Sequence, residues 1–450
     1  MGSDYSLQEL KYWNNKIELI VEEMGLDHYP QEFEICSYEE MLGYEAYLGM
    51  PSRYPHWSFG KAYEKQKTFY QYNLTGLPYE MVINSNPCLA YLMKDNTLLL
   101  QILTMAHVYG HNDFFKNNRL FKEGTDARYT LEMFKSHAQR IREYIGDPSI
   151  GYDRVERVLD AAHALKLQCY RWIGEKHLSD QEKRERLIND YNHQLADHPL
   201  LEKKSKSNPP NFNKIPLEPE EDLLLFLCKF ARLEEWEKDI LQIVRKENYY
   251  FLPQIETKIM NEGWACLWHY KILNQLNLEP PLYLEFLKRH NQVVNPHEGG
   301  LNPYHLGFKI FSDIEKRFDT SFLFTVRQQE RDSSFIRRFL TKELCAELNL
   351  FEFNKDRRDY VITEIADEEG WKKIRNNLAN NVGINITPTI KVIEMRTDNI
   401  LLLEHEWEGR DLHIPYALET LKYLATLWGN TVRLKTMVRG SRQLLESNPK

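Results

Sequence analysis

TLLLQILTMAHVYGHNDFFKNN, residues 97–118, decides the fold class. From 97 to 115 its apolar positions recur at helical spacing and run nearly all the way round. A helix that is apolar on every side is a buried one, so other elements must pack around it. The flanking sequence supplies more helices. Apolar residues at helical spacing run over 7–24, which ends at Gly25, then over 63–72, 131–144 and 153–174. The pattern resumes at 222–231, 235–248, 255–276 and 304–318. Residues 29–60, rich in Tyr, Pro and Gly, read as irregular or short elements, and 80–84 as a short strand. The polar, proline-rich run KKSKSNPPNFNKIPLEP, residues 203–219, reads as a surface loop inside the helical domain.

After about Asp319 the periodicity changes. Strands are expected at 350–353 and 359–365, a helix at 367–380, and strands at 389–395 and 400–407 around a turn at 396–399. A helix at 415–428 and a strand at 432–437 follow. The expected fold is therefore α+β: a large, mainly α-helical domain, 1–319, followed by a small α+β domain, 320–450, in the order β-β-α-β-β-α-β.

Composition bounds the function classes. With 450 residues, 42% hydrophobic and 28% charged, the chain is of ordinary globular type and long enough for a sizeable core. A net charge of −8 gives no general reason to bind nucleic acid or an anionic membrane, so neither is expected as a partner. No run of about 18 apolar residues is present, so no membrane span is expected. The opening MGSDYSLQELKYWNNK lacks the apolar centre of a signal peptide, which points to a cytoplasmic location. Six scattered cysteines, none in a C-x-x-C pair, read as reduced thiols.

His107 and His111 lie four residues apart on the buried helix. That spacing puts two imidazoles on one face with Cβ atoms about 5–6 Å apart, as in the zinc-chelating helices of zincins. Those helices carry a glutamate after the first histidine, and here Val108 stands there, which disfavours a standard zincin protease. Spacing alone also fits two incidental histidines. The apolar surroundings favour a buried polar site, because buried polar groups need partners. Asp113, two residues on, is a candidate to orient or join the ligands.

MNEGWACLWH, residues 260–269, places Glu262, Cys266 and His269 on one helical face after the aromatic run YYFLPQIETKI. A carboxylate buried there needs a metal, a cation or hydrogen-bond donors. Glu262 is thus the third ligand or the missing base, with a helix-to-helix hydrogen bond an equal alternative. Cys266 reads as a buried thiol. VERVLDAAHAL, residues 155–165, aligns Glu156, Asp160 and His163, and with His137 reads as a supporting network or a second metal site. NPHEGGLNPYHLGFKIF, residues 295–311, is a glycine loop presenting His297, Glu298 and His305. YPHWSFGK, residues 54–61, and YEMVINSNPCLAYL, residues 79–92, mix aromatic bulk with His56, Glu80, Asn84 and Asn86, a composition that suits a pocket wall. The expected cofactor is one divalent metal, zinc by ligand type, on His107, His111 and Glu262. Glu262 and Glu298 are the candidate catalytic carboxylates, with Asp113, His163 and His269 around them.

These runs, with GRDLHIPYALETLKYLATLWG at 409–429, resemble the SpoVR family, named for stage V sporulation protein R. The resemblance spans nearly the whole chain. It implies a link to the spore cortex, the peptidoglycan layer of endospores, and an association with a PrkA-type serine kinase pathway. Relatives also occur in bacteria that make no spores. No established reaction and no settled catalytic residues come with it. Two classes of function are therefore expected: a metal-dependent, hydrolase-like enzyme of unknown substrate, or a non-enzymatic regulatory or scaffold protein of spore-envelope assembly.

Overall fold

The computed structural model describes residues 5–72, 80–196, 209–296, 300–356 and 359–449. It is mainly helical, and no helix among the described residues is long and apolar enough to cross a membrane. Contacts divide the chain into two compact units. The first joins Met1–Glu143 to Tyr249–Ile386, and the second joins Tyr144–Asn248 to Thr387–Lys450.

The chain does not divide at Asp319, where the sequence pattern led us to expect it. Asp319 caps the helix Thr320–Gln329, accepting from Phe322 N at 2.8 Å. Two further short helices, Asp332–Phe339 and Lys342–Glu347, follow. Leu323, Val326, Phe335 and Ile336 are buried in the same core as Ile17 and Trp264. Helices this short show too few turns to register as periodic. Of the proline-rich run, 203–208 lie outside the described residues, and 209–219 belong to the second unit. There Ile215 O accepts from Met395 N at 2.6 Å.

Three helices form the centre of the first unit. The histidine helix, Leu98–Asn117, is buried at every position from Leu99 to Phe115, as its all-round apolarity implied. The central helix, Lys258–Gln275, packs against it and against the helix Pro303–Arg317. Glycines set the spacing. A Cβ on Gly110 would lie 2.7 Å from Ala265 Cα, one on Gly263 would lie 2.3 Å from Gly307 C, and one on Gly307 would lie 2.1 Å from Ile259 O. Only hydrogen at these positions lets the backbones come so close.

The central helix is separate from the preceding one, as the expected helices 235–248 and 255–276 were, but the break falls at Thr257 and not within 249–254. The preceding helix, Glu235–Glu256, ends just after Pro253, and the chain breaks at Thr257. Thr257 makes no side-chain cap; instead Asp332 accepts from Ile259 N and Met260 N, both at 2.9 Å. A carboxyl group from another helix thus accepts from the amides freed by the break.

A small sheet flanks these helices, formed by β1 (Gln31–Cys36), β2 (Glu80–Ile83) and β3 (Cys88–Met93) in the order β1-β3-β2. β1 runs parallel to β3, with Gln31 opposite Cys88, and β2 runs antiparallel, with Ile83 opposite Leu89. β3 is buried at all six positions, so it lacks the alternation that marks a strand in sequence. The hairpin of β4 (Phe351–Asp356) and β5 (Asp359–Ile365) and the helix Gly370–Asn380 complete the unit.

The second unit contains the helices Tyr152–Leu165, Asp180–Ala196 and Leu223–Phe230, and a four-stranded sheet. Its strands β6 (Ile390–Met395), β7 (Leu401–His405), β8 (Val432–Val438) and β9 (Ser441–Ser447) lie in chain order. β7 and β8 are parallel, joined by the helix Ile414–Trp428, which packs on Tyr152–Leu165. The expected single α+β domain is split between the units: among the described residues β4 and β5 pair only with each other, and they belong to the first unit. Strand β9 was not expected, since only Leu445 of its residues is buried.

Candidate metal centre

The i, i+4 spacing brings the rings of His107 and His111 to 4.6 Å between centroids, nearly perpendicular at 85°. Gly110, between them, meets Ala265 of the central helix, and this contact carries Glu262 up to both imidazoles. Glu262 Oε2 lies 3.5 Å from His111 Nε2 and 3.9 Å from His107 Nε2. Glu80, the first residue of β2, brings Oε1 to 4.0 Å from His107 Nε2. An N–H···O hydrogen bond spans about 2.7–3.2 Å. A tetrahedral metal with bonds near 2.1 Å holds its ligand atoms about 3.4 Å apart. The observed separations exceed the first distance and lie close to the second. Donor atoms of Glu80, His107 and His111 all fall within 4.8 Å of one another.

The other ring nitrogens are already engaged. His111 Nδ1 lies 2.8 Å from Asn261 Oδ1, so it donates its proton there and leaves a lone pair on Nε2. His107 Nδ1 lies 2.9 Å from His269 Nδ1, and His269 Nε2 lies 2.8 Å from His290 Nδ1, on the helix Pro280–Val293. Metal-binding histidines commonly hold their second nitrogen in such a bond.

Burial, then the neighbouring His107, lowers His111 to about 4. Burial also pushes His269 well below its ordinary range, and burial, then the neighbouring His107, takes His290 to about 4. These three imidazoles are therefore neutral near pH 7, the form that ligates. Burial alone would raise the Glu262 carboxyl, but His107, His111 and Lys258 outweigh it and hold the group below its usual range. Burial raises Glu80, only partly offset by His107.

Tyr304, on the helix Pro303–Arg317, stacks over His107 at 6.3 Å and lies beside Glu262. The Glu262 charge, then burial, keeps its phenol protonated. Cys266 groups with His107 and His269, yet burial first, then Glu262 and Glu80, holds it as a neutral thiol. The side chains of Glu262 and Glu80 are 18% and 19% exposed against 5% and 8% for the two histidines, so the carboxylates border solvent.

Not every expected residue converges here. Asp113 sits about 200° round the helix from His111. Its carboxylate accepts from Asp27 N and Trp264 Nε1, both at 2.8 Å, and faces Arg327 Nε at 3.5 Å. It braces the helices instead of orienting an imidazole, and burial raises it to about 6. His163, with Glu156 and Asp160, lies in the second unit. His297 and Glu298 lie outside the described residues. His305 Nδ1 bonds Val294 O at 2.5 Å. His56 caps the helix Trp57–Gln71.

Three residues here went unrecognised in the sequence as parts of the site, and Glu80 was read only as part of a pocket wall. Asn261 precedes Glu262, and Tyr304 falls within a run already singled out, so proximity in sequence was a usable signal. His290, alone on its amphipathic helix, gave none.

A family model described as SpoVR like protein matches residues 4–387, and one described as SpoVR-like C-terminal domain matches 388–439. The chain belongs to the SpoVR family. The junction of the two models falls beside the Ile386/Thr387 division of the two units, and all four converging side chains lie in the longer SpoVR segment. A protein of Escherichia coli (strain K12) described as "Uncharacterized protein YcgB" is 35% identical over 490 residues, covering 100% of this chain and 96% of that protein. No solved structure matches.

Proposed function

We propose that this SpoVR-family protein is a metal-dependent enzyme of hydrolytic type. One divalent metal, zinc by its donor set, is held by His107, His111 and Glu262, with Glu80 beside it. The observation that carries this reading is the convergence of both Nε2 atoms on the Glu262 carboxylate at 3.5 and 3.9 Å, while His111 Nδ1 is engaged by Asn261 Oδ1 at 2.8 Å. Left bare, lone pair and carboxylate repel, and a cation turns that repulsion into attraction.

A bound divalent metal lowers the pKa of its water and polarises a carbonyl or phosphoryl oxygen. Glu262 faces both imidazoles and takes the ligand role. Glu80 faces only His107, borders solvent and has a raised pKa, which suits a general base. Tyr304 orients Glu262. The family description supports a sporulation role, and we place the activity on the cytoplasmic side of cortex formation, alongside a PrkA-type kinase pathway.

Elemental analysis of undenatured protein is the test. The expected result is about one equivalent of metal per chain, lost in His111→Ala and Glu262→Gln. Substoichiometric metal with no uptake on titration overturns the reading and leaves the scaffold role.

A further inference from the structure

Behind the candidate ligands lies a chain of three buried imidazoles. His107, His269 and His290 are 4%, 0% and 3% exposed, so water does not replace any link. The contacts run Nδ1 to Nδ1 at 2.9 Å and Nε2 to Nδ1 at 2.8 Å. Each contact needs one proton and one lone pair, so in neutral rings the direction of one bond dictates the next. In one direction His290 donates to His269, His269 donates to His107, and the His107 proton sits on Nε2. That proton would point toward carboxylate oxygens 3.9 and 4.0 Å away, too far to bond. In the other direction His107 donates to His269, His269 donates through Nε2 to His290 Nδ1, and the lone pair of His107 lies on Nε2.

We infer that His290, acting through His269, is a positioning residue that fixes His107 in the tautomer whose Nε2 lone pair faces Glu262. This inference rests on the metal reading above. His290 is well placed for the task, because Tyr270, Phe308 and Phe286 hold its ring, with centroids at 4.7, 5.1 and 6.1 Å. Removing the terminal acceptor leaves the His269 Nε2–H unsatisfied in an apolar setting. The chain then reverses and places a proton where the metal belongs.

The experiment measures Zn(II) and Co(II) affinity by chelator competition in the full chain. It compares the wild type with His290→Leu, His290→Phe and His290→Asn. Loss of such an outer hydrogen bond weakens metal binding by about 10–100-fold. The Leu and Phe variants should show that loss and an altered Co(II) visible spectrum while keeping a wild-type circular dichroism spectrum. His290→Asn, which retains an acceptor near the Nδ1 position, should recover most of the affinity.

Wild-type affinity in a folded Leu or Phe variant overturns the inference and leaves the metal reading intact. No metal uptake by the wild type overturns both. Should both apolar variants fail to fold, nitrogen-15 imidazole spectra of the metal-free wild type decide the matter. A proton on His107 Nδ1 supports the relay, and one on Nε2 overturns it.

Discussion

Gly110→Ala tests the helix contact on which the site depends. The added Cβ would lie 2.7 Å from Ala265 Cα and 3.3 Å from Ala265 Cβ. Carbon atoms rest about 3.5–4.0 Å apart, so the histidine helix and the central helix must separate by roughly 1 Å. Gly110 lies between His107 and His111, and both move with it. The 3.5 Å His111–Glu262 separation then grows by about 1 Å, beyond what one tetrahedral metal bridges at about 3.4 Å. Overpacking costs about 1–3 kcal/mol, and alanine offsets about 1 kcal/mol of that by its better helix propensity. The net expectation is a loss of about 0–2 kcal/mol, with zinc binding at least about tenfold weaker. Gly60→Ala is the control. Gly60 is exposed on the helix Trp57–Gln71, and a Cβ there meets nothing within 4 Å. Urea unfolding and chelator competition give both quantities. A Gly110→Ala protein stabilised like Gly60→Ala, with wild-type zinc affinity, would refute the close packing.

Three other outcomes are expected. Cys266→Ala should keep the wild-type metal content, because the buried thiol stays protonated; metal loss matching that of His111→Ala would make Cys266 a ligand. Asp113→Ala should destabilise the protein by about 3–5 kcal/mol, read by urea unfolding, since it strands the buried Arg327 guanidinium. The folded fraction should still bind metal. Burial raises the Asp332 carboxyl to about 8, well above its unfolded value. The folded state therefore holds a proton that the unfolded state releases, and stability falls as pH rises toward 8, by at most about 1.4 kcal/mol per pH unit. Above about pH 7.5 the histidines lowered to about 4 are neutral in both states and contribute little, so there Asp332→Asn should flatten the wild-type decline. An unchanged slope in urea unfolding would show that Asp332 is ionised in the folded protein.

Local periodicity made the histidine helix legible as buried, put His107 and His111 on one face, and put Glu262 and His269 on one face of another helix. Each of these follows from the fixed turn of the backbone, which depends on spacing alone. The same rule shows that Asp113 points away from His111, about 200° round the helix; its proximity in sequence was misleading.

Which face meets which neighbour, and at what distance, belongs to the tertiary structure. Gly110 was visible, but its meaning depends on Ala265 lying opposite it. Glu80 reaches His107 from a strand held by pairing with β3, and β3 carries no alternation because both its faces are buried. His290 closes the imidazole chain from the next helix along the chain, and which of its faces meets His269 is set by packing. The division of the chain was equally hidden, since Tyr144–Asn248 joins the C-terminal sheet through contacts that no local pattern encodes. Helical phase sets the direction of a side chain on its own axis. Only the packing of one axis against another sets what that side chain touches.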